Sequence, residues 1–127
     1  MSNKKQLLAI VEQGGYPNFT YLYQSCGYQV TMERAMRKAM NIVRKLKPDV
    51  IVAEFNYQSD FRDRTSSLES LLATVERLQQ TDAKQIKVVV FFEKEYQHQL
   101  EKLQSMFTNF DAIAYPVEEE MLRQHIT

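Results

Sequence analysis

Apolar residues fall along the chain in two rhythms that take turns. Leu7-Leu8-Ala9-Ile10-Val11 is a continuous apolar run closed by Glu12-Gln13-Gly14-Gly15. A short run without alternation predicts a strand buried on both faces, as in a parallel sheet. Val50-Ile51-Val52-Ala53, ended by Glu54, and Ile86 to Phe92 repeat the pattern. Tyr28 to Thr31 and Ala112 to Tyr115 are shorter strand candidates. Between these runs the apolar positions recur every three and four residues. Phe19, Leu22, Tyr23 and Cys26 predict a helix within Tyr16 to Cys26, and Ala35, Met36, Ala39, Met40, Val43 and Leu46 predict a second. Leu68, Leu71, Leu72, Val75 and Leu78 mark a third, and Leu100, Leu103, Phe107 and Phe110 mark a fourth from His98 to Phe110. Such a stripe is the core-facing side of an amphipathic helix. Glu118 to Ile126 is a short last helix with acids in its first turn, as the helix dipole favours.

The punctuation agrees with these spans. Gly27 stands where a helix C-terminus wants glycine. Lys45 and Lys47 suit the end of the second helix, and Pro48 stops it. Asn56 to Arg64 is a polar loop, Ser66 and Ser67 are cap candidates with Glu69 near the capping-box position, and Asp82 to Gln85 is a turn. Strand and helix alternate five times. That order predicts an α/β domain with right-handed crossovers, a parallel sheet, and helices on both sides.

Composition narrows the function classes. The chain has 127 residues, 44% hydrophobic and 25% charged, the balance of one globular domain. Its 16 basic and 16 acidic side chains cancel, which removes the bulk charge of a nucleic-acid binder and leaves room for a local patch. One cysteine excludes an internal disulfide and a Cys-rich zinc site. Three glycines leave little material for a phosphate-cradling loop. The apolar run from Leu7 to Val11 is too short for a membrane span or a signal-peptide core, and a cytoplasmic protein is expected.

In an open parallel sheet, the functional crevice lies beyond the carboxyl ends of the strands. The residues leaving those ends carry a resemblance. Gly27-Tyr28-Gln29-Val30-Thr31 is similar to the "GYxV" second strand of response-regulator receiver domains. Lys47-Pro48-Asp49-Val50-Ile51-Val52-Ala53-Glu54 resembles their third strand, with Glu54 at the phosphoacceptor aspartate. Phe110-Asp111-Ala112-Ile113-Ala114-Tyr115-Pro116-Val117 resembles the approach to their fifth strand, with Tyr115 at the lysine. The resemblance covers nearly the whole chain. It implies a flavodoxin-like (βα)5 fold, strand order 2-1-3-4-5, in a single domain over 1–127 with no output domain.

The same resemblance implies a degenerate phosphorylation pocket. Where receivers hold Mg²⁺ with paired acids, this chain has Glu12 and Gln13. Where they place Ser or Thr after the fourth strand, it has Phe92 and Glu93. Glu54 reaches one methylene further than Asp, and a misplacement of about 1 Å can cost roughly a hundredfold in rate. Losing the lysine removes a cation that phosphoryl transfer uses. The expectation is a non-enzymatic pseudo-receiver that signals through a protein partner. A degenerate but still phosphorylatable regulator of a phosphorelay, and a flavodoxin-like nucleotide- or flavin-binding protein, stand as alternatives. No cofactor is expected beyond a weak Mg²⁺ at Glu12 and Glu54.

Each residue also has a plainer reading. Glu54 is either a built-in phosphoryl mimic or a solvated acid at a strand end. Tyr115 is an aromatic gate or a ring covering a dead pocket, and Phe91 and Phe92 are core or plugs. Candidate partner surfaces are the region from His98 to Ile126, with Leu103, Phe107, Tyr115 and Met121, and the loop with Asp60 and Arg62. A homodimer through the first of these is a candidate too, although the last helix is short. The basic helix from Arg34 to Lys47 reads as a solvated face or a site for an acidic partner, with nucleic acid disfavoured. His98 and His125 read as surface residues, and Cys26 as a buried thiol.

Overall fold

In the computed structural model, residues 5–11, 19–55, 64–81 and 85–127 are described, residues 64–67 by their backbone alone. Strands and helices alternate as β1 (Lys5–Ile10), α1 (Thr20–Ser25), β2 (Tyr28–Glu33), α2 (Met36–Leu46), β3 (Val50–Phe55), α3 (Arg64–Thr81), β4 (Lys87–Phe92), α4 (Gln97–Met106), β5 (Asp111–Ala114) and α5 (Glu119–Ile126). A 3-10 turn over Lys94–Tyr96 leads into α4. The five strands form one parallel sheet in the order β2-β1-β3-β4-β5. That is the order expected above, with the crossover from β2 back past β1 opening the crevice.

Alternation within the central strands sorts the core into two layers. Ile51, Ala53 and Phe55 of β3 and Val88, Val90 and Phe92 of β4 face α2, α3 and α4. Val50 and Val52, with Val89 and Phe91, face α1 and α5. All six residues of β3 are buried, which explains why its apolar run carries no period of two. Leu71, Leu72 and Val75 of α3 and Leu100 and Leu103 of α4 close one side; Leu22 and Tyr23 of α1 and Leu122 and Ile126 of α5 close the other.

Several boundaries differ from the expectations, for definite reasons. β3 runs two residues beyond Ala53, because Glu54 and Phe55 pair with Phe91 and Phe92 and backbone pairing is indifferent to a charged side chain. β2 likewise reaches Glu33. The helix expected over Arg34 to Lys47 shortens to Met36–Leu46, since the Glu33 carboxylate takes the N–H groups of Arg34 and Ala35 and Lys47 turns left-handed at φ 50° before Pro48. α3 begins at Arg64, so Ser66 and Ser67 lie inside it and not at its cap. α4 ends at Met106, where Phe107 is extended; Phe107 and Phe110 pack on the core from the following segment. The first helix is seen from Thr20, with Gly27 at φ 94° just past its end as expected; the expected start at Tyr16 lies outside the described residues.

Candidate functional site: the carboxyl end of the sheet

Glu54 is the second-last residue of β3 and is 5% exposed. By alternation with Val50 and Val52 it points to the α1 side of the sheet. The reading of a solvated acid at a strand end is therefore overturned: the strand continues past Glu54 and a helix covers it. Tyr23 of α1 lies close enough to feel its charge. Burial, and then the negative charge of Glu54, push the Tyr23 hydroxyl well above the ordinary tyrosine range.

Aromatic rings gather on the same side. Phe91 is the register partner of Glu54 on β4 and faces α1, 5% exposed. Phe19, just before α1, meets it edge-on with centroids 6.1 Å apart at 71°. Tyr115 meets it from the other side at 5.9 Å and 66°. Both are the edge-to-face geometry that the ring quadrupole favours. The Tyr115 N–H donates to the Phe92 carbonyl at 2.9 Å, which extends the β5 track by one residue before the cis Tyr115–Pro116 peptide. Phe92 itself faces the α2 and α3 side. It thus does not line the space beside Glu54; Phe91 does. Glu93 is half-exposed at the exit of β4.

Glu12 and Gln13, and the loop residues Asp60 and Arg62, lie outside the described residues. Magnesium needs near-octahedral oxygen ligation and keeps several waters. Of the two acids expected to hold the ion, Glu54 is described, near Tyr23 and beside Phe91, and Glu12 is not. Among the described residues, no three or more His, Cys, Asp or Glu side chains are placed to hold a metal.

The expected partner surface divides. Leu103 is 2% exposed, turned into the core by the amphipathic stripe of α4, so it is no surface residue. Phe107 and Tyr115 are half-buried, and Met121 is 47% exposed on α5. Met106 at the end of α4 is 55% exposed.

A polar cluster at the amino end of the sheet was not anticipated. His125 does not stand alone: its Nδ1 lies 3.2 Å from Asp111 Oδ2, and Lys87 Nζ lies 3.0 Å from the same oxygen. The last turn of α5 brings His125 over the start of β5, a contact between residues fourteen apart. The Lys87 ammonium foremost, then His125, hold the Asp111 carboxyl below its ordinary range against a smaller opposing effect of burial. Beside them the Tyr28 hydroxyl donates to the Ile126 carbonyl, tying β2 to the end of α5. Burial, then the charge of Asp49, raise the Tyr28 hydroxyl. A cleft of about 520 Å³ opens here between Lys5, Asp49, Lys87 and His125. The only trace in the sequence was a charged residue opening each of β4 and β5. Cys26, expected as a buried thiol, is half-exposed after α1.

The receiver domain of a response regulator from Clostridium thermocellum superposes with a TM-score of 0.71 at 13% identity, over 96% of this chain and 90% of that one. The fold is that of a response-regulator receiver domain. The inactive form of the regulatory domain of the repressor of iron transport regulator, RitR, is similar at 22% identity and a TM-score of 0.64, over 96% and 91% of the two chains. A streptococcal protein, described as one of a family of redox sensors evolved from two-component response regulators, matches at 21% and 0.65, over 96% of this chain and 49% of its own. No family model matches the sequence, and no curated protein matches it. Among the described residues, no helix is long and apolar enough to cross a membrane.

Proposed function

We propose that this chain is a receiver-like signalling domain that acts by binding a protein partner and runs no phosphorylation cycle on Glu54. The observation that carries this reading is the burial of Glu54 beneath Tyr23 and beside Phe91, at the position where the resemblance places the phosphoacceptor aspartate. A phosphoryl donor must approach in line with the attacking oxygen, and its developing charge needs cations. Neither Tyr23 nor Phe91 supplies a cation. Tyr115 stands where the resemblance places the lysine, and Glu12 with Gln13 where it places the metal acids. Glu93 leaves β4 where a hydroxyl is called for. On this reading residues 1–127 form one non-catalytic domain of the cytoplasm, and Glu54 serves as a fixed carboxylate under α1. The streptococcal neighbour offers a precedent, since its family is described as redox sensors evolved from two-component response regulators.

The test is incubation with acetyl phosphate and Mg²⁺ followed by intact-mass measurement. The expected spectrum is unchanged. A stoichiometric gain of one phosphoryl group, lost in Glu54→Gln, refutes the reading.

A further inference from the structure

The outer face of α2 carries an arrangement that the pocket does not account for. Arg37, Lys38, Asn41, Arg44 and Lys45 are all exposed, while Met36, Ala39 and Val43 are buried against the sheet. At about 100° per residue these five polar side chains fall within an arc of roughly 120°. Arg37 and Arg44 form one row and Lys38 and Lys45 another, the members of each about 10.5 Å apart along the axis. Arg44 Nη1 donates to Asn41 Oδ1 at 3.2 Å, which holds one guanidinium along the face. Among the described residues, no carboxylate lies within ion-pair distance of Arg37, Lys38, Arg44 or Lys45. Glu33, just ahead of the helix, is committed to the N–H groups of Arg34 and Ala35 at 3.0 and 3.1 Å.

Beside the lysine row the character changes. Ile42 is half-buried, and Leu46, one turn on, is 37% exposed. The surface is therefore a basic arc with an aliphatic margin. Glu118, Glu119 and Glu120 stand exposed at the start of α5, which packs on the opposite face of the sheet.

We propose that this face of α2 docks an acidic, amphipathic segment of a partner protein, with carboxylates on the two cationic rows and an apolar side chain on Leu46 and Ile42. Charge complementarity selects the acids, and the aliphatic margin selects a polypeptide over a nucleic acid. A phosphate backbone would use the cations and leave the margin bare. The zero net charge also denies a nucleic acid the long-range attraction on which its affinity depends. The inference rests on the reading that the domain works by binding, and not on the fate of Glu54.

The test uses the full chain and two labelled probes: a synthetic helical peptide with Glu on one face and Leu on the other, and a short DNA duplex. Binding is followed by fluorescence anisotropy at low and raised salt. The peptide is expected to bind, to weaken with salt, and to lose at least tenfold in affinity in the double variant Lys38→Glu with Lys45→Glu. Leu46→Ser, which removes the aliphatic contact without adding charge, is expected to weaken the peptide and leave any DNA binding unchanged. Lys94→Glu with Lys102→Glu, exposed before and within α4, controls for net charge and is expected to change nothing. The proposal fails if the peptide does not bind, if the α2 reversals match the control, or if DNA binds more tightly and Leu46→Ser has no effect on the peptide. Circular dichroism of every variant checks that α2 is intact. A protein that takes up phosphate yet still binds the peptide through α2 refutes the pocket reading alone; the converse refutes only this one.

Discussion

Replacing Phe91 by alanine removes the ring that occupies the space beside Glu54. Phe91 is 5% exposed and makes edge contacts with Phe19 at 6.1 Å and Tyr115 at 5.9 Å. Truncating a buried phenylalanine to alanine costs about 3–5 kcal/mol in lost transfer energy and residual cavity. Within that sum, each edge-to-face pair contributes about 0.5–1.5 kcal/mol beyond area burial. Phe91→Leu keeps most of the apolar volume and gives up both ring contacts, so its cost is about 1–3 kcal/mol. For a domain of this length a kcal/mol moves Tm by roughly 4 °C, which places Phe91→Ala about 12–20 °C below the parent. Urea titration with a shared slope measures the free energies, and a thermal scan checks them. The reasoning is refuted if Phe91→Ala costs less than about 1 kcal/mol, as an exposed side chain would. It is refuted as well if the leucine variant is no better than the alanine one, because the ring's volume would then not be what fills the site.

Two further perturbations probe the opposite end of the sheet. Tyr28→Phe removes the buried donor to the Ile126 carbonyl and is expected to cost about 1–2 kcal/mol, with faster amide exchange confined to α5. Asp111→Asn removes the acceptor shared by Lys87 and His125. Because the folded Asp111 carboxyl sits below its ordinary value, its contribution is full above the unfolded pKa, about 3.9, and is lost as pH falls through the folded value. The parent should therefore exceed the variant in stability at pH 6 and match it in strong acid. With the Asp111 side chain 43% exposed, screening holds the difference below about 1 kcal/mol, and added salt should shrink it.

The sheet was legible in the sequence because strands buried on both faces leave continuous apolar runs, and β3 and β4 are buried at nearly every position. The helices were legible where one stripe faces the core, as in α2 and α3. What stayed hidden depends on pairing between distant segments. A charged residue ended the apolar run at Ala53, yet pairing with Phe91 and Phe92 carries β3 through Glu54 to Phe55. The register that puts Phe91 beside Glu54 and Phe92 on the far face is fixed by neighbouring strands, and no local pattern states it. The same holds for His125, which read as a lone surface histidine until α5 folded back over Asp111. Leu103 was an error of another kind: its place on the stripe with Leu100 already marked it as core.

The central claim is that the space where a receiver accepts its phosphoryl group is taken up by rings around a buried carboxylate. Titrating the ¹⁵N-labelled protein with Mg²⁺ and beryllium fluoride, a phosphoryl mimic that assembles on an accessible carboxylate, tests it through the amide resonances of Glu54, Phe91 and Tyr115. The account predicts no saturable shift at any of the three. Saturable one-to-one shifts at these amides, absent in Glu54→Gln, would show an open and competent pocket and contradict it.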